Sequence, residues 1–265
     1  MPLQLGIGIV TYNRQAVLGE TLDRVLRHTK YPFTAIGVAD DGSTDGTLDM
    51  LRARGITTVT GRNMGIAWNK NRALFMLSEL VRCDMVILLE DDSRPSRDNW
   101  EVEWMNAAIR WGHANLAGEW LRDHFVAGAG TLDDPIRSTH ITAQCSVFSR
   151  EALLFGGYFD ARFRGYGHEH VEHTRRLVRM GYGGADEDVD GRKMTLYKLL
   201  RSNIECAPTK TYYDQGQVDS NLQLARELLV DSTYRAPWHD EAEAAQFRDE
   251  MRSTMPRPLL QAAPG

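Results

Sequence analysis

Short apolar runs alternate with amphipathic stretches through the first third of the chain. Residues 5–10, 35–39 and 85–89 are apolar without polar alternation and too short for free-standing helices, so they read as strands buried on both faces, and 56–60 reads as a further short strand. Between them, residues 14–28 bring Val17, Leu18, Leu22, Val25 and Leu26 to helical intervals, and 48–54 and 67–81 read as further helices. Strand and helix in strict alternation imply right-handed crossovers. The expectation is an α/β protein with a mainly parallel, Rossmann-like central sheet flanked by helices.

The pattern then loosens. Residues 99–111 carry a helical stripe of Val102, Trp104, Met105, Ala108 and Ile109, and 113–148 read as shorter strands and loops. A brief helix at 151–155 is followed by the turn Gly156-Gly157-Tyr158-Phe159-Asp160, and a helix at 169–180 is closed by Gly181. From Asp186 onward the signals weaken. Residues 222–229 and the polar stretch 241–252 read as helices, the second loosely packed, before a tail with Pro256, Pro258 and Pro264 that needs no order.

At 265 residues the chain has room for one large α/β domain with an appendage, and its 42% hydrophobic and 25% charged residues are those of a globular protein. No run of about 18 apolar residues offers a stable membrane span, and residues 1–5 lack a secretory n-region, which points to a cytoplasmic protein. Cys83, Cys145 and Cys206 lie far apart without zinc spacing and read as reduced core residues. A net charge of −5 gives no general attraction to nucleic acid or anionic lipid. Arg175, Arg176 and Arg179 form a candidate basic patch, although arginines at helical spacing more often form a solvated face.

The strand at 85–89 runs directly into Glu90-Asp91-Asp92. Carboxylates at the end of a buried strand need a cation or donors to compensate them, and Mg²⁺ or Mn²⁺ carrying a phosphorylated ligand is the usual tenant of such a sheet edge. The bland alternative is a turn whose acids cap a helix. Thr11-Tyr12-Asn13-Arg14 follows the first strand, where a loop can face a nucleotide base, although Asn13 also suits a helix cap. The loop Ala39-Asp40-Asp41-Gly42-Ser43-Thr44-Asp45-Gly46-Thr47 holds more acids than a turn needs. One of them facing a pyrimidine N–H would select uridine, while Asp45 suits the cap of the next helix. Gly6-Ile7-Gly8 lies inside a strand and lacks the third glycine of a dinucleotide loop.

Together these segments, with Asn63-Met64-Gly65, resemble in order and spacing the family 2 glycosyltransferases of the GT-A fold. The resemblance implies that Asp41, with Thr11 and Tyr12 nearby, holds the base, with Asn13, Arg14, Asn63 and Gly65 around the nucleotide sugar. Glu90-Asp91-Asp92 stands where the family has Asp-x-Asp, which makes Asp92 the implied ligand of a diphosphate-bridging Mn²⁺ or Mg²⁺ and Glu90 its neighbour at ribose or metal. The family's Ala-Arg-Asn is Asn69-Lys70-Asn71 here, so Lys70 stands in for an arginine reaching the diphosphate, as a point charge in place of a fork.

Further along, Gly156-Gly157-Tyr158-Phe159-Asp160 resembles the family's Gly-Gly-Phe-Asp, and Gly165-Tyr166-Gly167-His168-Glu169-His170 its Gly-rich turn and Glu-Asp pair, so the likeness covers roughly residues 4–185. His170 occupies the position of the aspartate that serves as general base in inverting members. An imidazole is competent at that task, and Glu169 is the other candidate. His168, His170 and His173 also raise a zinc reading, against which stands the lack of a recognised spacing. Neither Tyr212-Tyr213-Asp214-Gln215-Gly216 nor His239 matches the late metal-binding histidine of many GT-A enzymes. Trp100, Trp104, Trp111, Trp120 and Trp238 could stack on sugars, although tryptophans at helical spacing are mostly core.

The implied protein is a metal-dependent glycosyltransferase that moves a sugar from a UDP-sugar to an acceptor hydroxyl with inversion. Residues 1–98 would be its nucleotide-sugar half, 99–215 its acceptor and catalytic half, and 216–265 a helical extension and flexible tail. The acceptor could be a glycan, a glycolipid, a protein or a modified nucleic-acid base. A nucleotidyltransferase and a catalytically silent sugar-binding homologue are the alternatives.

Overall fold

The computed structural model describes residues 2–209 and 213–254. The proline-bearing tail and Tyr212 lie outside the described residues. The first half runs β1 (Leu5–Thr11), α1 (Gln15–His28), β2 (Thr34–Asp40), α2 (Thr47–Ala53), β3 (Thr57–Thr60), α3 (Ile66–Phe75) and β4 (Met85–Glu90). Beyond Phe75 the third helix continues as a π-helical turn, Met76–Leu80. The second half runs β5 (Ser93–Pro95), α4 (Trp100–Trp111), β6 (His113–Leu116), a 3-10 turn (Glu119–His124), β7 (Phe125–Ala127), β8 (Ile136–Ser138), β9 (Cys145–Ser149), α5 (Arg150–Gly156) and α6 (Glu169–Arg179). It closes with β10 (Gly184–Val189), β11 (Arg192–Leu200), β12 (Ile204–Cys206), α7 (Gln215–Glu227) and α8 (Glu241–Arg252).

One sheet in the order β3-β2-β1-β4-β9-β6-β11-β8-β7 joins the two halves, with β10 on β11. Its first four strands are parallel, and β9 pairs antiparallel to β4, so β4 is the hinge strand between halves. Period-two alternation sorts its side chains between two cores. Leu5, Ile7, Ile9, Ile87 and Leu89 face α1 and α4, whereas Val10, Val86 and Leu88 face α3. Gly6 and Gly8 sit on the α3 face because Cβ atoms there would come within 3.0 Å of Leu77 and 3.1 Å of Ala73. Close helix packing therefore explains Gly6-Ile7-Gly8. In register, Thr11 lies opposite Asp40 and Val10 opposite Glu90, so the three strand ends reach the same edge.

Three regions differ from the sequence expectation. Residues 184–200 form a hairpin over Asp190-Gly191, both at positive φ (52° and 77°), the geometry of a two-residue hairpin turn. The candidate basic patch dissolves. Arg176 is buried against Glu172 and the carbonyls of Gly156 and Tyr158, Arg175 donates to the Tyr197 hydroxyl, and Arg179 binds the carbonyls of Leu229 and Asp231.

The third difference is α8, which packs tightly. Ala244, Phe247 and Met251 enter the core beside Trp68, and Phe247 meets the Trp68 ring edge-on at 5.3 Å. Glu250 accepts from Trp68 Nε1 (3.0 Å) and from Arg72 Nε and Nη2 (3.0 and 3.1 Å). Arg72 has no exposed surface and passes on to Asp41 through Nη1 (2.8 Å). A buried guanidinium so engaged leaves nothing unsatisfied, and the last helix is thereby locked to the second-strand loop.

Replacing Glu250 with alanine would strand the Arg72 charge and the Trp68 indole, and should cost about 3–5 kcal/mol of unfolding free energy. Urea unfolding reads the loss directly; a change below about 1 kcal/mol, the size of an exposed pair, would mean that α8 is dispensable to the fold.

Candidate active site

The carboxyl edge of β1, β2 and β4 opens into two cavities that share a wall. The larger, about 750 Å³, is lined by Thr11, Tyr12, Asn13, Arg14, Asp41, Asn63, Gly65, Asn69, Glu90, Asp91 and Asp92, and by Tyr213, Asp214 and Gln217 from the α7 side. The other, about 460 Å³, holds Glu169, His170, Trp120, Thr142, Gln144 and Cys206. Glu90, Asp92, Tyr166, Pro208 and Thr209 border both. Nearly every residue singled out from the sequence thus faces one of two connected spaces. Of the residues that the resemblance assigns to donor, metal or base, Lys70 lines neither.

Each acid of the strand-end cluster has a distinct environment. Asp91 is buried, accepting from the Thr11 hydroxyl (2.7 Å) and Arg14 Nη1 (2.9 Å), while its carbonyl accepts from Thr21. Burial pushes its carboxyl up to about 6 despite Arg14 and Thr11. Asp91 therefore fastens α1 to β4. Asp92 accepts from the Thr209 hydroxyl at 2.6 Å and lies 3.4 Å from Arg14 through the same oxygen, Oδ2. Its Oδ1 is buried with no hydrogen-bond partner among the described residues. An ionised carboxylate oxygen in that condition is costly unless a donor or cation meets it, so Asp92 with the neighbouring Glu90 fits a divalent ion with oxygen ligands. Among the described residues no group of three or more His, Cys, Asp or Glu side chains is arranged as a complete metal cage.

Lys70, expected to reach a diphosphate, is only 1% exposed and sits beneath the cavity floor. Its Nζ lies 2.9 Å from Glu169 Oε1 and 3.2 Å from Glu90 Oε1. Burial alone would lower its pKa, but Glu169 and Glu90 outweigh that and raise it. Burial likewise pushes Glu169 up, and Lys70 foremost, then His170, hold it well below the usual carboxylate range. His170 Nδ1 lies 3.3 Å from the same Glu169 oxygen. An ionised carboxylate can only accept, so Nδ1 carries the hydrogen, and Nε2 is the nitrogen left to hold a lone pair.

The histidine cluster disperses. His173 is buried, bonded to the Gly157 carbonyl at 2.9 Å and stacked on Phe148, while His168 starts α6 in a left-handed conformation. Asn13 does not cap α1. At φ 51° it accepts from the Thr44 amide, and its own amide donates to Ser43, stitching the first loop to the second. Asp45 accepts from the Thr47 amide and hydroxyl at the start of α2 and from the Gln15 amide at the start of α1.

Asp41 accepts from the Met64 and Gly65 amides (3.0 and 2.9 Å) as well as from Arg72. It clamps the Asn63-Met64-Gly65 loop to the end of β2 at the cavity wall. Gly65, at φ 94°, then approaches Gly165 so closely that a Cβ would lie 2.5 Å from the Gly165 nitrogen. Ile66 N donates to the Gly165 carbonyl (3.0 Å), joining this loop to the turn that leads into Glu169. Sequence reasoning missed Arg72, Glu250 and Thr209 as site-shaping residues. The last follows β12, whose pairing with β5 returns the chain to Asp92, where the Ala207 amide donates to the Asp92 carbonyl (2.8 Å).

Residues 7–117 match the family model for glycosyl transferase family 2. A hyaluronan synthase of Pasteurella multocida is 27% identical over 239 residues, a match covering 71% of this chain and 24% of that protein, so the chain spans about a quarter of the relative's length. Among solved structures, a mannosyltransferase from Pyrobaculum calidifontis in complex with GDP-Man and Mn²⁺ aligns with TM-score 0.51 at 20% identity, over 68% of this chain and 53% of that one. GalNAc-T7 with UDP, GalNAc and Mn²⁺ aligns with TM-score 0.58 at 14% identity, over 98% and 55%. TarS from S. aureus gives 0.56 at 13% identity, over 94% and 43%. The likeness to glycosyl transferase family 2 thus covers residues 7–117, and the architecture is the GT-A fold of these solved structures. Among the described residues no helix is long and apolar enough to cross a membrane.

Because the folded Glu169 carboxyl titrates below its unfolded value near 4.5, its contribution to stability is present above that pH and is lost on acidification. Lys70→Met should therefore destabilise by about 3–5 kcal/mol at pH 7, with the deficit narrowing as the pH falls below Glu169's unfolded pKa. Urea unfolding of both proteins at pH 7 and at pH below 4 checks this. A deficit independent of pH would contradict the pairing.

Proposed function

We propose that the protein transfers a sugar from a nucleotide-diphosphate donor, a UDP-sugar, to an acceptor hydroxyl with inversion at the anomeric carbon. The observation that carries the reading is the shared wall: Glu90 and Asp92 border both the cavity rimmed by the β1 and β2 loops and the one that holds His170. A donor in the first cavity would present its diphosphate at that wall and its anomeric carbon toward the second. The nucleoside would lie along Thr11, Tyr12, Asn13 and Asn63, with Asp41 holding that wall in shape and Arg14 near the diphosphate. Asp92, with Glu90 beside it, would hold Mn²⁺ or Mg²⁺, which when bound supplies neutralisation of the charge that develops on the departing nucleoside diphosphate. The Mn²⁺ complexes of the Pyrobaculum calidifontis mannosyltransferase and GalNAc-T7 support a divalent ion in this fold.

His170 is the base we assign. With Nδ1 donating to Glu169, the ring offers the Nε2 lone pair to the acceptor O–H proton, which moves to Nε2 as the oxygen attacks the anomeric carbon. Glu169 stays ionised because Lys70 is paired with it, so it orients the imidazole and stabilises the imidazolium that forms. A carboxylate held well below the usual range is a weak base, which favours His170 over Glu169 in that role.

Incubation with Mn²⁺ and a panel of UDP-, GDP- and CDP-sugars tests the reading. Free UDP is expected from a UDP-sugar, whereas pyrophosphate would point to nucleotidyl transfer, and release of neither to a silent sugar-binding homologue. Asp92→Ala should weaken UDP binding in Mn²⁺ at least about tenfold by calorimetry, the loss of one charge-assisted ligand; unchanged affinity would remove Asp92 from the donor site. His170→Ala should lower turnover by about 10²–10⁴-fold while leaving UDP affinity within about twofold. If His170→Ala stays active and Glu169→Ala does not, the base is Glu169.

A further inference from the structure

One short stretch of chain holds Asp92 through both its main chain and its side chain. β12 pairs antiparallel with β5, with Cys206 opposite Ser93, and this register carries the residues that follow β12 along Asp92. The Ala207 amide donates to the Asp92 carbonyl at 2.8 Å, and two residues later the Thr209 hydroxyl donates to Asp92 Oδ2 at 2.6 Å. Arg14 Nη1 approaches the same oxygen at 3.4 Å, while its shorter bond, 2.9 Å, goes to Asp91. Among the described residues the buried carboxylate is therefore gripped through Oδ2 alone, and Oδ1 has no hydrogen-bond partner. Thr209 and Asp92 both stand in the wall that the two cavities share.

A carboxylate oxygen offers about two lone-pair sites. Thr209 and Arg14 take those of Oδ2, so a cation arriving from the cavity meets Oδ1 and binds through one oxygen. That distinction matters to the ion. A small octahedral ion such as Mg²⁺ or Mn²⁺ is satisfied by single carboxylate oxygens together with phosphate oxygens and water, whereas Ca²⁺ takes more oxygens and gains from carboxylates that bind through both. Hydrogen bonds that orient a ligating group from behind are worth about 10- to 100-fold in metal affinity. We infer that Thr209 is a positioning residue that makes Asp92 a one-oxygen ligand, and so sets the preference of the site for a small octahedral ion over Ca²⁺. This rests on the reading of Asp92 as a metal ligand and names the residue that decides which ion it accepts.

Binding can be read without turnover. Mn²⁺ would be titrated into the full chain in the presence of UDP, with free Mn²⁺ followed by electron paramagnetic resonance and Ca²⁺ measured by its displacement of bound Mn²⁺. The unaltered protein is expected to bind Mn²⁺ more tightly than Ca²⁺. Thr209→Val and Thr209→Ala, which lack the hydroxyl, should weaken Mn²⁺ about 10-fold and Ca²⁺ less, so that the preference contracts. Thr209→Ser keeps the donor and should restore both affinities. Matched thermal melts without metal verify that the variants fold. An unchanged preference in both hydroxyl-free variants, or an equal loss for the two ions, would overturn the inference while leaving Asp92 as the ligand. If the unaltered protein binds no Mn²⁺, or Asp92→Ala binds it equally well, the metal reading of Asp92 fails and the inference falls with it.

Discussion

The site depends on one buried ammonium. Lys70 bonds to Glu90, at the end of β4, and to Glu169, at the start of α6, 99 residues further along the chain from Lys70. Remove its charge and two carboxylates face one another under a common floor with nothing to hold them. The desolvation of three ionised groups is tolerable only because they meet at hydrogen-bond distance, and that same requirement fixes the donor edge of the sheet against the helix that carries His170. Geometry in each cavity is thus set by an interaction that lies in neither.

A second buried cation does the same at the loop that follows β2. Arg72, two residues beyond Lys70 on α3 and fully buried, ties Glu250 of the last helix to Asp41, and Asp41 in turn holds the amides of Met64 and Gly65. From there Gly65 leans on Gly165, which leads back to Glu169. Both cations therefore project from one helix into the carboxylates of its neighbours, and the two cavities share a wall because α3 braces both. The proposed chemistry uses this rigidity: a lone pair on His170 Nε2 is useful only if Glu169 remains an acceptor, and Glu169 remains one because Lys70 is beside it.

Much of this was legible in the sequence, and the failures are physical. β1, β2 and β4 were readable because both faces of each are buried, and their acidic loops because carboxylates at strand ends seldom occur without a role. The sequence resemblance assigned Lys70 to the diphosphate because alignment carries residue positions, whereas the direction a side chain takes from a helix depends on which carboxylates are near. Helix α8 looked too polar to pack. Its polarity hid Glu250, which enters the core as the partner of a guanidinium 178 residues away. The hairpin of β10 and β11 escaped because β10 is a largely exposed acidic edge strand without apolar alternation, although Asp190-Gly191 was a usable turn signal. Trp120, exposed beside the cavity of His170 while Trp100, Trp104 and Trp111 are core, could not be separated from them by spacing, since exposure is a property of the folded chain.

The central proposal is that Asp92 stands at the diphosphate end of a nucleotide site, with its Oδ1, which has no partner among the described residues, turned to a divalent ion. Crystals grown with UDP and Mn²⁺, and measured at a wavelength where manganese scatters anomalously, test it directly. The account predicts an anomalous peak within about 2.0–2.6 Å of an Asp92 carboxylate oxygen, the span for hard cations on oxygen ligands, with UDP along Thr11 and Tyr12. UDP bound in that cavity with manganese elsewhere, or with no peak at Asp92, would contradict it.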